Sequence, residues 1–144
     1  VNKNNLYQEL GNKLILVNTN KTRSASKMLS NQKENFNNNE NSLIQIRDSV
    51  PRFYNYLINS DFQLINKSIR DYWETKKSIM SNNDSIALYD SYVPEYCDSG
   101  KICGAGGGGY FLFLKKNHSN LEGKDYLNLN IDRKGTSIIY NNYI

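Results

Sequence analysis

Short apolar runs and three-to-four-residue periodicities divide this chain into strand and helix candidates. Leu14-Ile15-Leu16-Val17 is a continuous apolar run between Gly11-Asn12 and Asn18-Thr19-Asn20, which predicts a buried strand, central in a sheet. A polar helix is expected over residues 22–33, with Ala25, Met28 and Leu29 on its inner face. From Ser42 onward, Leu43, Ile46, Val50, Phe53 and Leu57 recur at helical steps, and Pro51 inside that pattern predicts a kink or a break near Ser49. Asp61 is placed to cap a further helix whose buried stripe is Phe62, Ile65, Ile69, Tyr72 and Trp73. Another helix is expected from Asn83 or Asp84, turning Ile86, Leu88, Tyr89, Tyr92 and Val93 inward and stopping near Pro94.

The most apolar short segment, Tyr110-Phe111-Leu112-Phe113-Leu114, follows directly on Gly100-Lys101-Ile102-Cys103-Gly104-Ala105-Gly106-Gly107-Gly108-Gly109. That stretch holds six of the chain's nine glycines and reads as strand, glycine bend, strand. Glycines set against a buried strand imply a turn without side chains, where another backbone or a phosphate comes close. A P-loop would need Gly-Lys-Ser/Thr opening a helix, and a dinucleotide fingerprint would need its glycines to lead from strand to helix, so neither motif is met. Beyond Leu114 the aliphatic weight falls over residues 115–124. The alternation at Tyr126, Leu127, Leu129 and Ile131, the turn chemistry of Asp132-Arg133-Lys134-Gly135 and the run Ser137-Ile138-Ile139-Tyr140 then predict a closing hairpin. The fold class expected is α+β, with a mostly antiparallel sheet and helices packed on one face.

The length of 144 residues suits one domain spanning 1–144. Composition changes the picture in three ways. The hydrophobic fraction is only 38%, yet eleven tyrosines and five phenylalanines raise the aromatic share to 12%, so the core is expected to be built largely of rings. Asparagine crowds residues 35–41, which read as an exposed loop or a compositional habit. A net charge of +4 permits an anionic partner, but the lysines are dispersed, which argues against a nucleic-acid or membrane footprint.

Cys97 and Cys103 fit neither a CxxC pair nor zinc spacing, and with His118 as sole imidazole no nitrogen and sulfur metal site is expected. Scattered carboxylates at Asp48, Asp61, Asp71, Asp84, Asp90 and Asp98 show no spacing that identifies an acid and base pair. No segment reads as a membrane span or signal peptide, so a reduced, cytoplasmic setting is expected. The first residue is Val1 rather than Met, as in a processed or excised portion of something longer.

Gly-Lys-Ile-Cys-Gly-Ala-Gly-Gly-Gly-Gly-Tyr-Phe-Leu-Phe at 100–113 resembles the third motif of the GHMP small-molecule kinases, found in their C-terminal domain. Two other stretches are similar to the branch of that family that acts on heptose 7-phosphate. They are Leu16-Val17-Asn18-Thr19-Asn20-Lys21-Thr22-Arg23-Ser24-Ala25, like its strand and Thr-x-x-Thr-Arg-x-Ala turn, and Tyr72-Trp73-Glu74-Thr75-Lys76-Lys77 with Ser81-Asn82, like its Trp-x-x-Lys-Lys and Ser-Asn elements. The order and approximate spacing match the family's over nearly the whole chain.

The resemblance implies a ferredoxin-like GHMP C-terminal domain without the N-terminal ATP-binding lobe, whose Pro-x-x-x-Gly-Leu-Gly-Ser-Ser loop and acceptor-side aspartate this sequence does not contain. It further implies the C-terminal lobe of an ATP-dependent sugar kinase that transfers the γ-phosphate of ATP to a hydroxyl of a sugar phosphate, inactive alone. The catalytic residues are expected in the other lobe, carried on the same or a separate polypeptide, and ATP and Mg2+ are expected in the complete enzyme. No cofactor is expected tightly bound to this chain.

Phosphoryl transfer depends on positioned backbone N–H groups and cations. Gly104, Ala105, Gly106, Gly107, Gly108 and Gly109 are therefore the expected nucleotide or phosphate loop; a tight turn with no ligand is the alternative. Arg23, Lys77 and Lys101 are expected to hold substrate phosphate, with Lys76 read as a solvated surface cation. Trp73 is a candidate for stacking on a sugar, against core packing. Cys103 reads as a buried filler and His118 as an exposed loop residue. The competing function is a non-catalytic module that keeps the fold and binds a small anion or a protein.

Overall fold

The computed structural model describes residues 3–21, 25–34, 36–80, 84–93, 95–104 and 108–137. In chain order its elements are α1 (Lys3–Lys13), β1 (Leu14–Asn18), α2 (Ala25–Glu34), α3 (Phe36–Ile58), α4 (Phe62–Ile79), α5 (Asp84–Tyr92), β2 (Cys97–Ile102), β3 (Tyr110–Lys115) and β4 (Leu127–Asn128). The four strands form one sheet in the order β2-β3-β1-β4, and every neighbouring pair is antiparallel. The chain is thus α+β, and β1 sits inside the sheet as its unbroken apolar run requires.

Register sorts the side chains into two faces, because successive residues of a strand point to opposite sides. Ile15 lies opposite Phe113 and Val17 opposite Phe111, while Ile102 continues the same row from β2. This face is covered by Trp73 from α4, Tyr89 and Tyr92 from α5, and Leu121. The rings pack on one another: Trp73 stacks on Tyr89 with centroids 4.9 Å apart and meets Phe111 edge-on at 5.2 Å, and Tyr92 stacks on Phe113 at 5.3 Å. The low aliphatic content is offset in this way, since each ring buries a large area and has a preferred contact geometry.

Helices are not confined to that face. α4 lies along β2, the edge strand, and reaches around it. Trp73 enters the aromatic core, whereas Tyr72 meets Lys101, which points to the opposite side with Leu112. On that second side Ser99 is wholly buried and donates its hydroxyl to Asn66 Oδ1 of α4 at 2.6 Å. Covering β2 in this way also shields an edge from pairing with another chain.

Four expectations need correction. The asparagine-rich residues 36–41 are not a loop but the first turns of α3, exposed to solvent as their polarity demands. α3 also runs without a break across Pro51, so no helix end falls near Ser49. The first arm of the closing hairpin is shortened to the two-residue β4, while the return strand expected at residues 137–140 lies, from 138 on, outside the described residues. The Lys134 N–H does bond Asp132 Oδ1 at 2.8 Å and Gly135 has φ +69°, which is the turn chemistry expected there. Finally, α1 precedes β1 where no helix was predicted; it contacts β3 and α3.

Candidate functional site

The glycine bend leaves β2 at Ile102 and returns at Tyr110, where the Cys103 N–H donates to the Tyr110 carbonyl at 2.8 Å. Gly104 and Gly109 have φ of +70° and +85°, the left-handed region that costs an L side chain most. Gly108 is required for a different reason. A Cβ there would lie 2.5 Å from the carbonyl oxygen of Lys21, so main chain meets main chain with no room for a methyl group. The same approach is stapled by hydrogen bonds: Gly109 N–H to the Lys21 carbonyl at 3.1 Å, and Thr19 N–H and Oγ1 to the Gly109 carbonyl at 2.9 and 3.0 Å. The turn after β1 therefore clasps the returning arm of the bend.

Of the six residues expected to form the phosphate loop, Gly104, Gly108 and Gly109 can be placed. Ala105, Gly106 and Gly107 lie outside the described residues, as does Arg23. The Gly109 amide already has a protein partner. Gly104 and Gly109 are exposed, so the bend stands at the surface and not within the core.

At the β2 end of the bend, α4 and β2 bring four reactive side chains together. Lys101 Nζ lies 4.9 Å from the centroid of the Tyr72 ring, a cation–π contact. Lys76, one helical turn beyond Tyr72, is half-buried, and its pKa is lowered first by burial and then by the positive charge of Lys101. The Tyr72 phenol is pushed upward by burial and then by Cys103. Among the described residues neither Lys76 nor Lys101 has a carboxylate partner. Two lysines set near each other, with no carboxylate beside them among the described residues, make a place where an anion is stabilised.

Lys77, adjacent in sequence, has a different partner. Its Nζ pairs with Glu74 Oε1 at 2.6 Å, within α4. Adjacent helical positions differ by 100°, so only one of two consecutive lysines can face β2. The four-residue step from Tyr72 to Lys76 is the signal that would have selected Lys76.

Trp73 is 0% exposed, with its ring held between Tyr89 and Phe111. It presents no open face on which a sugar could stack, and core packing accounts for it. Its Nε1 has no hydrogen-bond partner among the described residues. Cys97 is a core residue whose thiol is pushed up to about 12 by burial and then by Asp98. His118 is exposed, and Cys103 is half-buried beside the bend.

A cleft between α3 and α4 leads to the same cations. One part, about 200 Å³, is lined by Val50, Phe53, Ile69, Tyr72 and Lys101, and an adjoining part of about 390 Å³ by Arg52, Tyr56, Lys67, Asp71 and Thr75. Ile46, Ser49, Ser68 and Tyr72 border both. The cleft is therefore apolar next to Lys101 and hydroxyl-rich farther away. Among the described residues no group of three His, Cys, Asp or Glu side chains is placed to hold a metal ion, and no helix is long and apolar enough to cross a membrane. Compared with known proteins, the chain matches no family model and no curated protein.

Proposed function

We propose that this chain is the C-terminal lobe of an ATP-dependent sugar kinase of the GHMP type, with a ferredoxin-like arrangement of its sheet and helices, acting in the cytoplasm on a sugar phosphate of the heptose class. The observation that carries the reading is the glycine bend between β2 and β3 with Lys76 and Lys101 at its foot, neither of them paired with a carboxylate among the described residues. In this reading the two amines hold the phosphate of the sugar, Lys101 and Lys76 acting as point charges, and the clasped bend supplies a surface for the lobe that carries nucleotide. The contacts to ATP and its Mg2+, together with the group that accepts the hydroxyl proton, belong in this reading to an N-terminal lobe on the same or another polypeptide.

The test is a pair of measurements on the purified chain. It is expected to show no ATP-dependent phosphorylation of sugar phosphates alone; robust turnover without a partner overturns the half-enzyme reading. Calorimetric titration with heptose 7-phosphate is expected to show weak binding that falls at least ~10-fold in Lys76→Ala/Lys101→Ala, the loss of two charge-assisted contacts. Affinity is also expected to fall as pH rises through the lowered Lys76 pKa, because the anion is held by the protonated amine. One observation favours a second reading, a non-catalytic module that binds a small anion or a protein: the Gly109 amide is bonded to Lys21 and so is withheld from a nucleotide. Tight sugar-phosphate binding by the isolated chain, unchanged when an N-terminal lobe is supplied, would select it.

A further inference from the structure

α3 has 23 residues and none is buried. Its exposed apolar residues include Phe36, Leu43, Val50 and Tyr54, which are 52, 37, 59 and 61% exposed. The first three are seven residues apart, two helical turns, and Tyr54 follows one turn later, so all four fall in one stripe about 40° wide. The stripe adjoins the side of α3 that meets α4, with Val50 on the rim of the cleft between the two helices. Single exposed apolar residues are ordinary, but a continuous row of large ones along a helix marks a contact surface.

We propose that this row is the seam of a homodimer in which α3 pairs with α3 of a second copy, antiparallel, about a two-fold axis at Leu43. Self-complementarity argues for a second copy as the occupant. With the axis at Leu43, that residue meets its own mate, and Phe36 falls opposite Val50 of the other copy, so large meets branched along the seam. The charges agree with the same register. Glu40 and Arg47 flank one side of the stripe at nearly equal distances either side of Leu43. In an antiparallel two-fold pair that flank faces its own equivalent, which sets Glu40 of each copy beside Arg47 of the other, twice. Arg47 uses Nε for Asp48 at 2.7 Å, which leaves its two terminal nitrogens for the partner. The whole chain carries +4 and would repel a copy of itself, but α3 is locally neutral, with Glu40 and Asp48 against Arg47 and Arg52.

Sedimentation equilibrium over a wide concentration range tests the proposal. A reversible species of twice the 16.6 kDa chain mass is expected. Leu43→Asp sets two carboxylates against each other at the axis and is expected to weaken association at least ~10-fold, while circular dichroism checks that this surface change keeps the fold. Glu40→Arg and Arg47→Glu are each expected to weaken the dimer by several-fold, and the double exchange to restore it, a result that only antiparallel pairing of these two positions produces. A monomer at every concentration, a dimer that survives Leu43→Asp, or single and double charge variants that associate alike would each overturn it.

Discussion

Helices α3 and α4 carry equally clear apolar stripes in the sequence, yet the molecule uses them in opposite ways. α4 buries Ile65, Trp73 and Ile79, because it lies between β2 on one side and α3 on the other. α3 is five residues longer, packs on α4 along one side, and buries nothing. Periodicity announces that a helix has an apolar face; it does not say whether one layer or two will cover it. What separates the two helices is position: α4 is the inner layer against the sheet edge, and α3 is an outer layer with part of its face left over.

Substitutions along the two stripes break the comparison most sharply. Trp73→Ala removes a fully buried indole in contact with two other rings, and is expected to cost roughly 3–5 kcal/mol in urea unfolding. Val50→Ala on α3, measured in dilute solution where chains do not pair, is expected to stay within about 0.5 kcal/mol of the wild type. Equal costs at the two positions would mean that α3 is covered after all, and that the outer-layer description is wrong.

The same contrast explains what could be read from residues alone. Strands β1 and β3 and the stripe of α4 were legible because each has a local cause, an unbroken apolar run or an aspartate one residue before a periodic segment; of β2 only the end beside the glycine bend was legible, because Cys97-Asp98-Ser99-Gly100 is not an apolar run. α1 and the start of α3 were not legible. Asparagine is a poor helix former, and both segments are rich in it, so propensity spoke against the helices that they form. Pro51 misled as to a break, since α3 continues as a helix through it while packing against α4.

At the site, the residue types were legible and the partners were not. Lys101 was placed beside the bend correctly, but Lys76 and Lys77 differ only in rotation about the axis of α4, and which of them faces β2 depends on how that helix is set against the sheet edge. The glycines were read as room for a phosphate or a backbone. At Gly108 the near atom is the Lys21 carbonyl oxygen, contributed from 87 positions earlier in the chain, and no local pattern carries that information.

Alkaline titration sharpens the comparison from the side of α4. The Tyr89 phenol, stacked beneath that helix on Trp73, is pushed up to about 12 by burial and then by Glu74, and the Cys97 thiol also rises to about 12. Both groups stay protonated when folded at a pH where the unfolded chain has lost the proton. Stability is therefore expected to hold up to about pH 9, and then to fall as pH rises toward about 12, where the folded-state groups ionise in turn. Two pKa units at Tyr89 correspond to roughly 3 kcal/mol near pH 12. Tyr89→Phe is expected to remove about that much of the pH dependence, read as a flatter plot of unfolding free energy against pH. An unchanged slope in Tyr89→Phe would show that the ring is reached by water, and that the layer under α4 is looser than its contacts indicate.

A smaller effect than these core losses lies at the start of α4, where the two helices meet. Asp61 accepts a hydrogen bond from the Leu64 N–H at 3.1 Å, which satisfies one of the donors a helix leaves open at its first turn and adds a negative charge at the positive end of the backbone dipole. Asp61→Ala is expected to cost about 1 kcal/mol, and Asp61→Asn to recover most of it, because the amide oxygen still accepts the bond while the charge is lost. Hydrogen exchange locates the effect: protection should fall over the first turn of α4 and leave α3 unchanged, since Ser60 and Asp61 are already tied to Leu57 and Tyr56 by their own backbone N–H groups. If exchange quickens along α3 to the same extent, the inner and outer helices unfold as one unit, and their difference in burial does not translate into a difference in stability.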